Sequence, residues 1–162
     1  MDGKEIRIQT PSISGSLFYC YKKFHSFKLL AACDAYYRFS WVDIDDYGSV
    51  SDVSAFQSTG LYRAMERGEA NLPAPARLPR SAMVLPHFFV VDEIFAVKHY
   101  SISPHLRRHP LTRRERIFNY RLFRAKNCIE DAFGILTGRW RILHIALAFK
   151  LNKSIAIVQA LI

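Results

Sequence analysis

Three acidic side chains, far apart in this 162-residue chain, have the chemistry to act together. They are Asp2 in Met-Asp-Gly-Lys-Glu-Ile, Asp92 in Phe-Phe-Val-Val-Asp-Glu-Ile-Phe and Glu130 in Cys-Ile-Glu-Asp-Ala-Phe-Gly-Ile-Leu. Carboxylates are the hard oxygen donors that Mg²⁺ takes, usually one or two of them, while the ion keeps waters and substrate phosphate. Two such ions about 3.5–4 Å apart can assist in-line attack on a phosphodiester, one at the attacking oxygen and one at the leaving oxygen. Like charges gathered this way repel, so at least one of the acids should have a raised pKa. Taken singly the three say less. Asp2 reads as a surface residue, Asp92 after an apolar strand as a cap or turn acid, and Glu130 as a boundary residue paired with Lys126 one turn earlier. Their meaning depends on the elements that carry them.

Ile6-Arg7-Ile8 alternates briefly, Phe27 to Cys33 is a compact apolar run, and Tyr37 to Ile44 alternates cleanly, so three consecutive strands are expected. Asp34-Ala35 would turn the second into the third, which makes Asp34 a turn residue. A helix should follow from about Asp52 to Arg67, closed by Gly68, with Asp52 a candidate N-cap. Pro73, Pro75, Pro79 and Pro86 mark a loop, His87 to Val91 a short buried strand ending at Asp92, and 96–111 an irregular connection. Thr112 and Glu115 form a capping-box pair. From there Phe118, Leu122, Ala125, Ile129, Ala132/Phe133, Leu136 and Trp140 recur at helical steps, predicting one long helix over about 112–140. Glu130 falls at the edge of that stripe. A last apolar helix begins near Ser154. Strand, strand, strand, helix, strand, long helix is the order of an α/β, ribonuclease H-like fold, a mixed sheet with helices on its faces. There the first and fourth strands are neighbours, so Asp2, Asp92 and Glu130 would converge.

The length suits one domain, residues 1–162, able to bury a core without disulfides. Half the residues are apolar and 23% are charged, a globular composition rather than a disordered one. Cys20, Cys33 and Cys128 are odd in number and widely spaced, which supports neither a disulfide framework nor a zinc pattern. The six histidines lack zinc-protease spacing, and the glycines form no phosphate-cradling loop. No apolar run reaches membrane-span length, and Asp2 and Glu5 stand where a secretory signal would be apolar. An intracellular protein is expected.

The formal charge of +9 is uneven, with thirteen Lys/Arg against five Asp/Glu in residues 81–162. Arg107, Arg108, Arg113, Arg114, Arg116, Arg121, Arg124 and Lys126 lie in one segment whose lone acid is Glu115. That density suits a polyphosphate backbone; a solvated helix face is the plainer alternative. Arg113, Arg114 and Arg116 would occupy the first helical turn, where cations oppose the helix dipole. An anionic partner would account for them.

Several spaced motifs then carry a resemblance: Asp2-Gly3-Lys4, Gly48-Ser49-Val50-Ser51-Asp52, Leu72-Pro73, Asp92-Glu93, Phe95 and Glu115 to Leu122. The most specific is Ile129-Glu130-Asp131-Ala132-Phe133-Gly134-Ile135-Leu136 with Arg139-Trp140-Arg141. Over nearly its whole length the chain resembles the catalytic domain of PIF/Harbinger-type transposases. The resemblance implies a nuclear DDE endonuclease that uses Mg²⁺ or Mn²⁺ to cut DNA and join strands. Asp2 would bridge the metals, with Asp92 a ligand of one and Glu130 of the other. Asp52 matches a further acidic position, as metal ligand or helix cap. Glu5 stands where the family usually has His, and Val91 where it has Gly. The expectation is a domain truncated at both ends, without the N-terminal helix-turn-helix region; DNA is the implied partner, with a separate DNA-binding protein and a homo-oligomer as further candidates. Such a domain is either a nuclease, its activity possible to lose by truncation, or a domesticated non-catalytic binding module.

Overall fold

A computed structural model describes residues 1–12, 14–106 and 110–162. The strands β1 (Asp2–Arg7), β2 (Ser26–Cys33) and β3 (Phe39–Tyr47) form one antiparallel sheet with β2 in the centre. Side chains alternate across a strand, and both faces of β2 are buried, which is why its sequence is apolar apart from Ser26 and Lys28. Phe27, Leu29 and Ala31 join Ile6, Ile129, Phe133 and Leu136 in one core; Leu30 and Ala32 join Met1, Ala55, Phe56, Met65 and Val91 in the other. Helices on both faces give a mixed α/β architecture with small additional sheets.

The β2–β3 turn forms as its sequence dictates. Asp34 Oδ1 accepts the backbone N–H of Tyr36 at 2.8 Å and of Arg38 at 3.1 Å, an Asx-type turn. The helix expected over 52–67 is instead two, α1 (Asp52–Ser58) and α2 (Gly60–Glu66). Thr59 between them is extended, and its hydroxyl accepts from the Tyr62 N–H at 3.1 Å. A buried Thr acting as N-cap ahead of Gly60 ends one helix and starts the next. The N-cap of α1 is Ser51, not Asp52, which lies in its first turn. Gly68 follows α2 with φ +73°, a backbone region open to glycine.

The proline-rich loop contains a two-residue hairpin, β4 (Ala76–Arg77) with β5 (Val84–Leu85). The expected fourth strand shortens to β6 (Phe89–Val90), paired in parallel with β7 (Ser101–Ile102) inside the connection expected to be irregular. The N–H groups of Phe89 and Val91 bond to the carbonyls of Tyr100 and Ile102 at 2.8 and 3.0 Å. On its other edge β6 forms no ladder with β1; one bond, from the Met1 amino group to Val90 O at 2.8 Å, links the two segments. The turn that leads into β7 is anchored by Glu66, which accepts from Lys98 at 2.6 Å and from the Tyr100 hydroxyl.

The long helix α3 (Arg113–Arg139) begins with the full capping box of Thr112 and Glu115. It buries Asn119, Leu122, Ile129, Ala132, Phe133 and Leu136, while Ala125 and Trp140 stay exposed. Asn119 brackets the backbone of His105, accepting its N–H at 2.9 Å and donating to its carbonyl at 3.0 Å. Replacing it with Leu leaves both groups unpaired and should cost about 2 kcal/mol in urea unfolding. A 3₁₀ turn (Arg141–His144) leads to α4 (Leu151–Leu161), and the Trp140 indole donates to Leu161 O at 3.1 Å. Among the described residues no helix is long and apolar enough to cross a membrane.

Candidate functional site

Alternation along β1 sorts its residues between the sheet's faces. Lys4 lies over the Phe133 ring and Ile6 packs in the α3-side core, so Asp2 shares that face. Asp92 follows Val91 at the end of the β6 segment, and its Oδ1 accepts the N–H of Glu93 at 2.9 Å. Glu130 projects from α3 one residue beyond the buried Ile129. The three meet at one cation of the chain itself. The Lys126 ammonium is 3.2 Å from Asp92 Oδ2, 3.7 Å from Glu130 Oε1 and 3.9 Å from Asp2 Oδ2.

Lys126 is 12% exposed at the side chain against 56% for Glu130, because it stands on the helix's inner stripe between Leu122 and Ile129. Its pKa is raised: burial pulls it down, but the charges of Asp2, Asp92 and Glu130 outweigh that. The Asp2 carboxyl is also pushed up, chiefly by burial, against the opposing pull of Lys126 and with help from Asp52 and Asp92. A raised pKa among the acids was expected from like-charge repulsion; desolvation is its main cause. Among the described residues no three His, Cys, Asp or Glu side chains form a ready-made metal cage. In chemical type the three carboxylates are the hard oxygen donors that a divalent cation takes, and here they share one positive charge.

Asp52 belongs to a different cluster. Lys28 donates to Glu5 Oε1 at 2.5 Å and to Asp52 Oδ1 at 2.6 Å, and Ser26 donates to Glu5 Oε2 at 2.6 Å. Glu5 pairs in register with Lys28, and both side chains are 3% exposed. Gly3, on the same face of β1, lies directly against the Asp52 carboxylate: a Cβ there would stand 2.5 Å from Oδ1. Gly3→Ala should therefore displace either β1 or Asp52 and lower stability by about 1–3 kcal/mol, measurable as a fall in the urea midpoint.

The basic segment divides. Arg107 and Arg108 lie outside the described residues. Arg113, Arg114, Arg116, Arg121 and Arg124 are exposed, whereas Lys126 faces the acids. At 3.6 residues per turn, Arg113, Ile117, Tyr120, Arg121 and Arg124 run along the side of α3 turned away from Leu122, Lys126 and Ile129. Ile117 and Tyr120 are exposed between the arginines, with Arg124 over the Tyr120 ring at 6.0 Å.

Lys126, expected on the DNA-binding segment or as the partner of Glu130 alone, stands at the focus of all three acids; the Lys28–Glu5 pair behind it is what sequence reasoning did not foresee. The signal was there: Lys126 falls on a core step of α3, and Lys28 interrupts an apolar strand.

Carboxylates from a strand, a turn and a helix thus meet at one lysine in a mixed α/β domain. The chain belongs to the family described as DDE superfamily endonuclease, whose model matches residues 1–162. Enzymes of this superfamily act on DNA and generally use divalent metals. No curated protein and no solved structure matches the chain.

Proposed function

We propose that residues 1–162 are a transposase-type DNA endonuclease domain of the PIF/Harbinger kind, ribonuclease H-like in ancestry and working in the nucleus. In this reading Asp2, Asp92 and Glu130 hold Mg²⁺ or Mn²⁺. The observation that carries it is their convergence on the Lys126 ammonium from three separate elements. Bound there, divalent metal supplies Lewis-acid polarisation of phosphate oxygens and an activated water. Asp2, the most enclosed of the trio, fixes the inner edge; Asp92 and Glu130, more exposed, face incoming DNA. Asp52, tied to Lys28, orients the β1 backbone at Gly3 rather than joining the trio. The test is Mg²⁺- or Mn²⁺-dependent nicking of supercoiled DNA by the chain and by Asp92→Asn. Equal nicking by the two proteins would remove the assignment.

The arginine face of α3, turned away from the acids, favours a second reading: a non-catalytic module that retains the fold and binds nucleic acid through that face. Both readings share one prediction. Converting Arg113, Arg121 and Arg124, the arginines of that face, together to Gln should flatten the salt dependence of DNA binding by roughly 0.9 in log–log slope for each phosphate no longer neutralised. An unchanged slope would assign these arginines to a solvated surface.

A further inference from the structure

We propose that Lys126 is a resident counter-cation of the carboxylate trio, which a divalent ion must displace, and that the released ammonium then faces the DNA phosphate. This rests on the reading of Asp2, Asp92 and Glu130 as metal-holding side chains. Three observations lead to it. First, the ammonium stands where the oxygens of all three acids converge, so a cation held by the same oxygens would meet it at close range. Second, only the Asp92 contact, at 3.2 Å, has hydrogen-bond length; those to Glu130 and Asp2, at 3.7 and 3.9 Å, are looser. The ammonium is thus held mostly by the field of the three charges, which a divalent ion satisfies better. Third, lysine carries a compact charge on a flexible four-carbon stem, and Glu130 beside it opens to solvent, so the head group has a way out.

Without Lys126, three carboxylates would face each other with no described side-chain cation among them; the Met1 ammonium near Asp2 is bonded to Val90 O. With both cations present, like charges would crowd one focus. The arrangement keeps the site assembled before metal arrives and couples metal entry to the appearance of a phosphate-seeking charge at the same place. Lys126 acts here through the acids, as a positioning residue.

The test uses the whole chain and Mn²⁺ alone, with binding read from the loss of free-ion electron paramagnetic resonance signal. Lys126→Gln should bind Mn²⁺ about tenfold more tightly than the wild type or better, since a competing like charge is gone. Its thermal midpoint in chelator should fall, and Mn²⁺ should raise that midpoint more than in the wild type. Lys126→Arg, which restores the charge, should return affinity towards the wild-type value. Equal or weaker binding by Lys126→Gln, with the wild type binding, overturns the competition and leaves the metal reading standing. Absence of Mn²⁺ binding in both overturns the metal reading and this proposal with it. A second measurement needs no variant: acetylation of Lys126 in the wild type, followed by mass spectrometry, should accelerate several-fold when Mg²⁺ is added. Unchanged labelling under Mg²⁺ that measurably binds would also overturn the proposal.

Discussion

Lys28→Met should lower the stability of the domain by about 3–5 kcal/mol, the usual penalty for removing one partner of a buried ion pair. Against a typical total of about 5–15 kcal/mol, that is enough to leave much of the variant unfolded at moderate temperature. The argument lies in the surroundings. Glu5 is 3% exposed and shares Lys28 with Asp52, so methionine leaves a buried carboxylate with the Ser26 hydroxyl as its remaining side-chain partner. Adding Glu5→Gln to Lys28→Met should recover part of the loss, because the stranded charge disappears while a hydrogen-bonding group stays. Urea unfolding of the three proteins measures both effects. No difference between Lys28→Met and wild type would mean that the triad contributes nothing net.

The pH dependence follows from the same cluster. Burial alone would lower the Lys28 pKa, but hydrogen bonds and charges from Asp52 and Glu5 reverse this and raise it. A lysine whose folded pKa lies above its unfolded value contributes fully below the unfolded value, near ~10.4. That contribution is lost as pH rises through the folded value. The stability gap between wild type and Lys28→Met should stay level between about pH 7 and 9 and narrow only in stronger alkali.

These lysines also mark where the sequence stopped being legible. Local chemistry was readable: the Thr112–Glu115 box starts α3, Asp34 makes its turn, and Gly68 follows α2. Each depends on residues within a few positions of one another. The break at Thr59 was harder, because a helical pattern continues across it and the buried hydroxyl decides the matter only in competition with the backbone. Two-residue strands such as β6 and β7 have too little length to show a period, and their pairing is set by which carbonyls lie opposite. The pairing of Lys126 with Glu130 was readable at four residues' spacing, but its contacts with Asp2 and Asp92, and those of Lys28 with Glu5 and Asp52, join positions distant in the chain and become visible only once β1 is seated. The convergence of Asp2, Asp92 and Glu130 was anticipated from element order, although β1 and β6 meet through one hydrogen bond instead of a shared ladder. The arginines' orientation was likewise hidden, since their density says nothing about which side of α3 they take.

Asp92→Asn should reduce metal-dependent nicking by at least about a hundred- to a thousandfold. A metal's stabilisation of transition-state charge is worth several kcal/mol, and each 1.36 kcal/mol is a factor of ten in rate. The substitution is chosen because it separates charge from fold. The Asn carbonyl can still accept the Glu93 N–H that Asp92 Oδ1 now accepts at 2.9 Å, so the turn after Val91 keeps its local bond. What is lost is a negative charge at the exposed rim of the trio, 3.2 Å from Lys126. Unfolding curves of variant and wild type should then nearly coincide while nicking diverges. Nicking that survives in Asp92→Asn would assign the cleavage to something other than this trio. If the wild type binds DNA with a steep salt slope yet never nicks it with Mg²⁺ or Mn²⁺, the arginine face is the working part, and the carboxylates with their lysine remain as an ion cluster that holds β1, the Asp92 turn and α3 together.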